Sequence, residues 1–149
     1  MGESADSDTG RSDSSLRAAG TAFAPIVLEG WAPPRELSPN ASRNIHWGTR
    51  TKIKNETKLL FTTLAFKSWS WPAGHRAQTE TGRKRRLTIT VRKPRESDID
   101  KLTAQLKVVI DSLVRGGAAL DDRPKYLELV IRQEKGPKRT TLELEEISP

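Results

Sequence analysis

The stretch "SDIDKLTAQLKVVIDSLVRGG" (97–117) decides how this chain must fold. Ile99, Leu102, Leu106, Val109, Ile110 and Leu113 recur at the spacing of one helical face. Asp98 stands where a helix N-cap belongs, and Gly116-Gly117 where a helix ends, so the pattern predicts a helix over 98–115. A helix with one apolar stripe needs an apolar layer to lie on, and the flanking segments supply it. Upstream, "RLTITVRKP" (86–94) alternates Leu87, Ile89 and Val91 on one side and is stopped by Pro94, which marks a strand. Downstream, "KYLELVIRQE" (125–134) and "RTTLELEEI" (139–147) read as two more strands. "KGPK" (135–138) between them reads as a hairpin turn, so these two are expected to pair antiparallel.

Towards the N-terminus, "TRTKIKNETKLLFTTLAFKSW" (49–69) has helical spacing. A helix over about 48–67 is expected, with Ile53, Leu60 and Leu64 on the core face and Phe61 beside them. "APPRELSPNASRN" (32–44) is a Pro-rich loop, and "AFAPIVLEGW" (22–31) a first strand centred on Ile26, Val27 and Leu28. "SWSWPAGHRAQTETGRKRR" (68–86) reads as a polar loop ending in a basic cluster. Residues 1–20, rich in Ser, Gly and Asp, are expected to be a disordered tail, leaving one domain over 21–149. The order β-α-β-α-β-β implies the α/β (α+β) class: a small mixed four-stranded sheet with helices on one face.

A chain of 149 residues can bury one core without metal or disulfide help. It has no cysteine, which excludes a disulfide framework, a thiolate zinc site and a cysteine nucleophile. No apolar run approaches the roughly 20 residues needed to span a bilayer, and "MGESADSDTGRSDSS" lacks the features of a secretory signal. A soluble, cytoplasmic protein is expected.

The formal net charge of +7 is unevenly spread. Residues 43–93 hold thirteen Lys and Arg against only Glu56 and Glu80, while residues 94–149 are nearly balanced. A concentrated basic surface favours a polyanion through counterion release and steering; a solvated, solubilising face is the plainer alternative.

Against that background the aspartates stand out. Asp98 and Asp100 are one residue apart, and "LDDRP" (120–124) sets Asp121 beside Asp122. Like charges so close repel unless solvent, a positive neighbour or a cation compensates. Each motif alone reads as local structure, a helix N-cap in the first case and a turn in the second. Together, around one amphipathic helix, they point to carboxylates converging from two segments. With no His or Cys beside them, these are hard oxygen ligands suited to Mg²⁺ or Mn²⁺. Lys107 lies seven residues after Asp100, about 10 Å along the helix and on nearly the same face. Asp111, one turn further, is expected to pair with Lys107 or face solvent.

"DIDKLTAQLKVVIDSLVRGGAALDD" (98–122) resembles the core signature of the RusA family of Holliday junction resolvases, especially its phage-type members. That signature is a D-x-D-N-L segment, a helix carrying Lys and D-x-L, then a D-D pair. "LSPNASRNIHW" (37–47) is similar to the family's segment before the first helix. The resemblance covers about 25–147 and implies a homodimeric, Mg²⁺-dependent endonuclease that resolves four-way DNA junctions by paired nicks in recombination and repair. On it, Asp98, Asp100 and Asp122 match metal ligands, Asp121 is their neighbour in the metal set, and Lys107 matches the functional helix Lys. Two departures stand: Ala104 occupies the place where some members carry that Lys, and Lys101 replaces the usual Asn. A non-catalytic DNA-binding relative or an RNA-binding module is the alternative function.

DNA contacts are expected from Arg43, Asn44, His46, Arg50, Lys52 and Lys54 around the first helix start, from Lys101, and from Arg83, Lys84, Arg85 and Arg86 in the basic run. Of Trp69 and Trp71, an exposed ring would stack on an unpaired base and a buried one would pack on the core. His46 and His75 are too few and too separated for a zinc site.

Overall fold

The alternation of residues 86–94 begins two residues earlier than the sequence suggests, and the basic run belongs to it. In the computed structural model, which describes residues 22–38, 46–70 and 83–147, a strand runs Lys84–Lys93 with Arg85, Leu87, Ile89 and Val91 buried. The expected tail, Arg43, Asn44, Trp71 and His75 lie outside the described residues. The elements are β1 (Ile26–Glu29), α1 (Trp47–Ala65), β2 (Lys84–Lys93), α2 (Ile99–Arg115), β3 (Leu127–Lys135) and β4 (Arg139–Ile147). A short 3₁₀ turn, Arg35–Leu37, precedes α1, and a wider π turn, Phe66–Ser70, follows it. The predicted element order and mixed α+β class therefore hold among the described residues.

The sheet order is β1-β4-β2-β3. β2 and β3 are parallel, while β4 is antiparallel to both β1 and β2. The expected hairpin between the last two strands does not form, because β2 lies between them. The connection Gly136–Lys138 steps over the end of β2, with Gly136 N–H donating to the Lys93 carbonyl (3.1 Å) and Arg92 Nε donating to the Pro137 carbonyl (2.8 Å). Two strand spacings are about 10 Å, within reach of the four peptide links from Lys135 to Arg139 at about 3.5 Å each. Packing explains the insertion. β4 buries Thr140, Leu142, Leu144 and Glu146 at alternate positions, so it suits the interior, whereas β3 carries exposed Arg132, Glu134 and Lys135 and suits an edge.

Both helices cover one face of the sheet. Phe61 and Ala65 of α1, and Leu102, Leu106, Val109 and Leu113 of α2, close over Leu87, Ile89, Val91, Leu142 and Leu144. The fully buried stripe of α1 is Thr57, Phe61 and Ala65; of the expected core-face residues, Leu64 is half-buried against the core, Ile53 is half-buried and Leu60 is exposed. Thr57 is accommodated because its hydroxyl donates to the Ile53 carbonyl (2.8 Å), and Leu60 turns outward. The two helices run in the same direction, since the C-terminal end of α2 packs on that of α1. A Cβ placed on Gly116 would stand 2.5 Å from the Thr62 carbonyl oxygen and 2.7 Å from the Ala65 Cβ.

Arg85 ties this end together. Its guanidinium donates to the Gly117 and Ala118 carbonyls (3.2 and 3.0 Å), lies 3.6 Å from the Glu146 carboxylate, and covers the Phe23 ring at 4.9 Å. Only 4% of its side chain is exposed. Burial pushes its pKa down and Glu146 opposes that shift.

Two outcomes test this packing by urea unfolding. Arg85→Ala strands a buried carboxylate and should cost about 3–5 kcal/mol, with the pair replacement Arg85→Met/Glu146→Leu recovering part of it; a loss under about 1 kcal/mol refutes the clamp. Gly116→Ala should cost about 1–3 kcal/mol, since backbone rather than a flexible side chain would have to move.

Candidate nucleic-acid interface

The strand register settles where the aspartates stand. β2 and β3 pair from Arg85 with Leu127 to Lys93 with Lys135. Asp98 follows the far end of β2. Its carbonyl accepts from Leu102 N–H (3.0 Å), starting α2, and its side chain makes no capping hydrogen bond. Ser97 pins that turn to the ends of β2 and β3. Its N–H donates to Gln133 Oε1 (3.0 Å), its carbonyl accepts from Gln133 Nε2 (2.7 Å), and its hydroxyl accepts from the Lys93 ammonium. Asp121 and Asp122 follow the other end of α2. Arg85 holds the preceding Gly117 and Ala118, and the Arg123 carbonyl accepts from Leu127 N–H (3.0 Å) at the start of β3.

The two acidic pairs are therefore at opposite ends of a 17-residue helix, about 25 Å long. The expected convergence of Asp98, Asp100, Asp121 and Asp122 does not occur within one chain, because a helix crossing between parallel strands runs from the C-terminal end of one strand back to the N-terminal end of the next. Among the described residues, no group of three or more acidic or histidine side chains is placed to hold a metal ion. Asp121 is also occupied: its carboxylate accepts from Asp122 N–H (2.7 Å) and Arg123 Nε (2.9 Å). Hydrogen bonding from Asp122, with Arg123 beside it, holds its pKa below the usual carboxylate value.

Lys107 does not reach back towards Asp100. Its ammonium lies 3.6 Å from Asp111, one turn the other way, in an exposed ion pair. Lys101 is exposed beside Asp100, and its charge adds to burial in lowering the pKa of Lys93. Of the DNA contacts expected in the basic run, Arg85 is too buried to serve as one, while Arg86 keeps about a third of its side chain exposed. Arg85 is the buried clamp, and Arg86 pairs with Glu128 (2.8 Å) and Glu145 (3.7 Å) on the open sheet face. Arg83 is half-buried just before β2, and Lys84 is half-buried as its first residue. Trp69 is core: it is 1% exposed and its indole N–H donates to the Ala24 carbonyl (2.8 Å).

The basic surplus gathers in the groove between α1 and α2. Arg50, Lys54 and Lys58 repeat every four residues along α1 and face Lys107 and Arg115 of α2 across a cavity of about 350 Å³. The single carboxylate lining it is Asp111. Arg50 is held at the mouth by donating from Nε to the Glu36 carbonyl (3.2 Å). The first turn of α1 has no acidic residue, so its dipole adds to this positive field. Lys52, two residues from both Arg50 and Lys54 and so about 160–200° around the helix from them, points elsewhere and is exposed. His46 caps α1, its Nδ1 accepting from Gly48 N–H (3.1 Å). Lys58 and Arg115 were not singled out by the sequence reading. The four-residue spacing of Arg50, Lys54 and Lys58 was the available signal, but only the helix packing brings Arg115 opposite.

The open sheet face behaves differently. There Arg86, Arg92, Arg132 and Arg139 stand among Glu128, Glu134, Glu143 and Glu145, so positive charge is matched by negative. No family model matches the chain, and no curated protein matches it.

Proposed function

We propose that this chain binds nucleic acid in the groove between α1 and α2, with branched DNA as the ligand that its resemblance to junction resolvases implies. The observation that carries the reading is the five cations around Asp111. Two parallel rows of like charge are unfavourable in a free protein, and a phosphate backbone relieves them by releasing its counterions. The open sheet face, where Arg and Glu alternate, offers no such gain.

A salt titration of DNA affinity tests this. Lys54→Glu/Lys58→Glu should weaken binding to a four-way junction and reduce the slope of log K against log salt by about 2, as expected when two phosphate contacts are lost. Arg132→Glu on the sheet face should change neither quantity. Equal effects from both variants would exclude the groove as the interface.

The placement of the acidic pairs favours a second reading, that of a junction endonuclease built from two copies. Asp98 and Asp100 are exposed at one end of α2, and Asp122 is exposed beyond the other. A two-fold pair with antiparallel α2 helices brings the first end of one copy to the second end of its partner, twice. Each composite site would then hold carboxylates from both segments, as the resemblance requires of an Mg²⁺-dependent nuclease. Subunit mixing separates a shared site from a one-chain site. Asp100→Asn and Asp122→Asn proteins should each fail to cut a four-way junction with Mg²⁺, while their mixture should regain nicking, because one of two shared sites is then intact. No recovery on mixing would rule out shared sites. Junction binding by wild type without cleavage in Mg²⁺ or Mn²⁺ would leave the non-catalytic binder.

A further inference from the structure

We propose that Trp47 is a stacking platform for an unpaired base, so that the ligand of the groove includes single-stranded nucleotides. The inference rests on the nucleic-acid reading above. Trp47 is 75% exposed, whereas Trp69 is buried with its indole N–H bonded. A tryptophan that packs the core of this protein looks like Trp69, and Trp47 does not.

The ring is also held in place. His46 lies against it at 5.8 Å between centroids and 26° between planes, and His46 is itself fixed by its bond from Gly48 N–H. One face of the indole is thereby backed by a positioned ring, and the high exposure leaves the other available. Indoles stack on any base, because every base presents a π face.

Its position relates it to the groove. Trp47 stands seven and eleven residues before Lys54 and Lys58, so all three fall on one stripe of α1, with Lys54 about 10 Å further along the axis. A strand following those lysines meets the indole at the end of the row. The other exposed apolar side chains of this stretch, Leu59 and Leu60 of α1 and Phe66 just after it, fall about 100–140° around the helix axis from Trp47, so among the described residues of this stretch the ring joins no continuous apolar patch of the kind a protein partner covers.

The test compares full-length wild type, Trp47→Ala, Trp47→Phe and Lys54→Glu for affinity to a thymine oligonucleotide and to a blunt duplex of the same length. Trp47→Ala should lose about tenfold on the single strand and less than about twofold on the duplex. Trp47→Phe should keep most of the single-strand affinity, and Lys54→Glu should lower both. Equal losses on the two ligands, or no loss on the single strand, overturn the platform while leaving the groove standing. Wild type that binds neither ligand overturns both readings. A Trp47→Ala protein with a changed elution volume and unchanged single-strand affinity assigns the ring to contact between copies of the chain instead.

Discussion

The buried Arg85–Glu146 pair is the constraint on which the arrangement of this molecule depends. Arg85 stands at the start of a central strand, Glu146 near the end of its antiparallel neighbour, and both side chains point into the helix layer. Two charges in such a place cost several kcal/mol each to desolvate unless their partners are close. Here the guanidinium has three further partners: the Gly117 and Ala118 carbonyls, where the dipole of α2 is negative, and the face of Phe23. The cation therefore does more than pair with an acid. It fixes where α2 ends, and Gly116 then packs against α1 because no side chain separates the two backbones. The direction and spacing of both helices follow, and with them the width of the groove.

That architecture partitions charge. On the open sheet face, cross-strand neighbours of opposite sign neutralise one another, Arg86 with Glu128 and Glu145, and Arg139 with Glu29 at 3.6 Å. On the helix layer, α1 and α2 bring like charges together with one carboxylate among them. The same residue types thus have opposite meanings on the two sides. Arg86 is a strand contact and Lys58 is not, although both belong to the basic middle third of the sequence.

The local elements were legible in the sequence because each has a strong period. Leu87, Ile89 and Val91 alternate, the apolar residues of 99–113 follow a helical stripe, and the structure has β2 and α2 within two residues of the expected ends. What was not legible is what depends on pairing partners. "KGPK" has hairpin chemistry, yet the turn carries the chain over β2, because the apolar alternation of β4 demands neighbours on both edges. α1 misled for a related reason. It contains too few apolar residues to define one face, so Thr57 with its hydroxyl turned back onto the helix is buried and Leu60 is not. In the interface, Arg50 and Lys54 were legible as part of a basic helix start. Arg115 became part of it only through the parallel packing of the two helices, and Arg85 left it because alternation sends it inward.

The aspartate pairs show how topology limits what spacing can imply. Their proximity in sequence suggested that both needed one common cation, but each has compensation where it stands. Asp98 and Asp100 sit at the positive end of the α2 dipole, with Lys101 adjoining and Lys93 in the same turn. Asp121 accepts from a backbone N–H and from Arg123, which leaves Asp122 as the freer carboxylate of its pair. Neither pair requires the other for the fold to be stable. If the two do act together, the reason lies outside the single chain, in a partner copy that turns opposite ends of one helix into adjacent walls of one site. The parallel β2–α2–β3 crossover is what makes that a question of assembly rather than of loop conformation, since no movement of residues 118–126 short of unpairing β3 from β2 would carry Asp122 the length of α2.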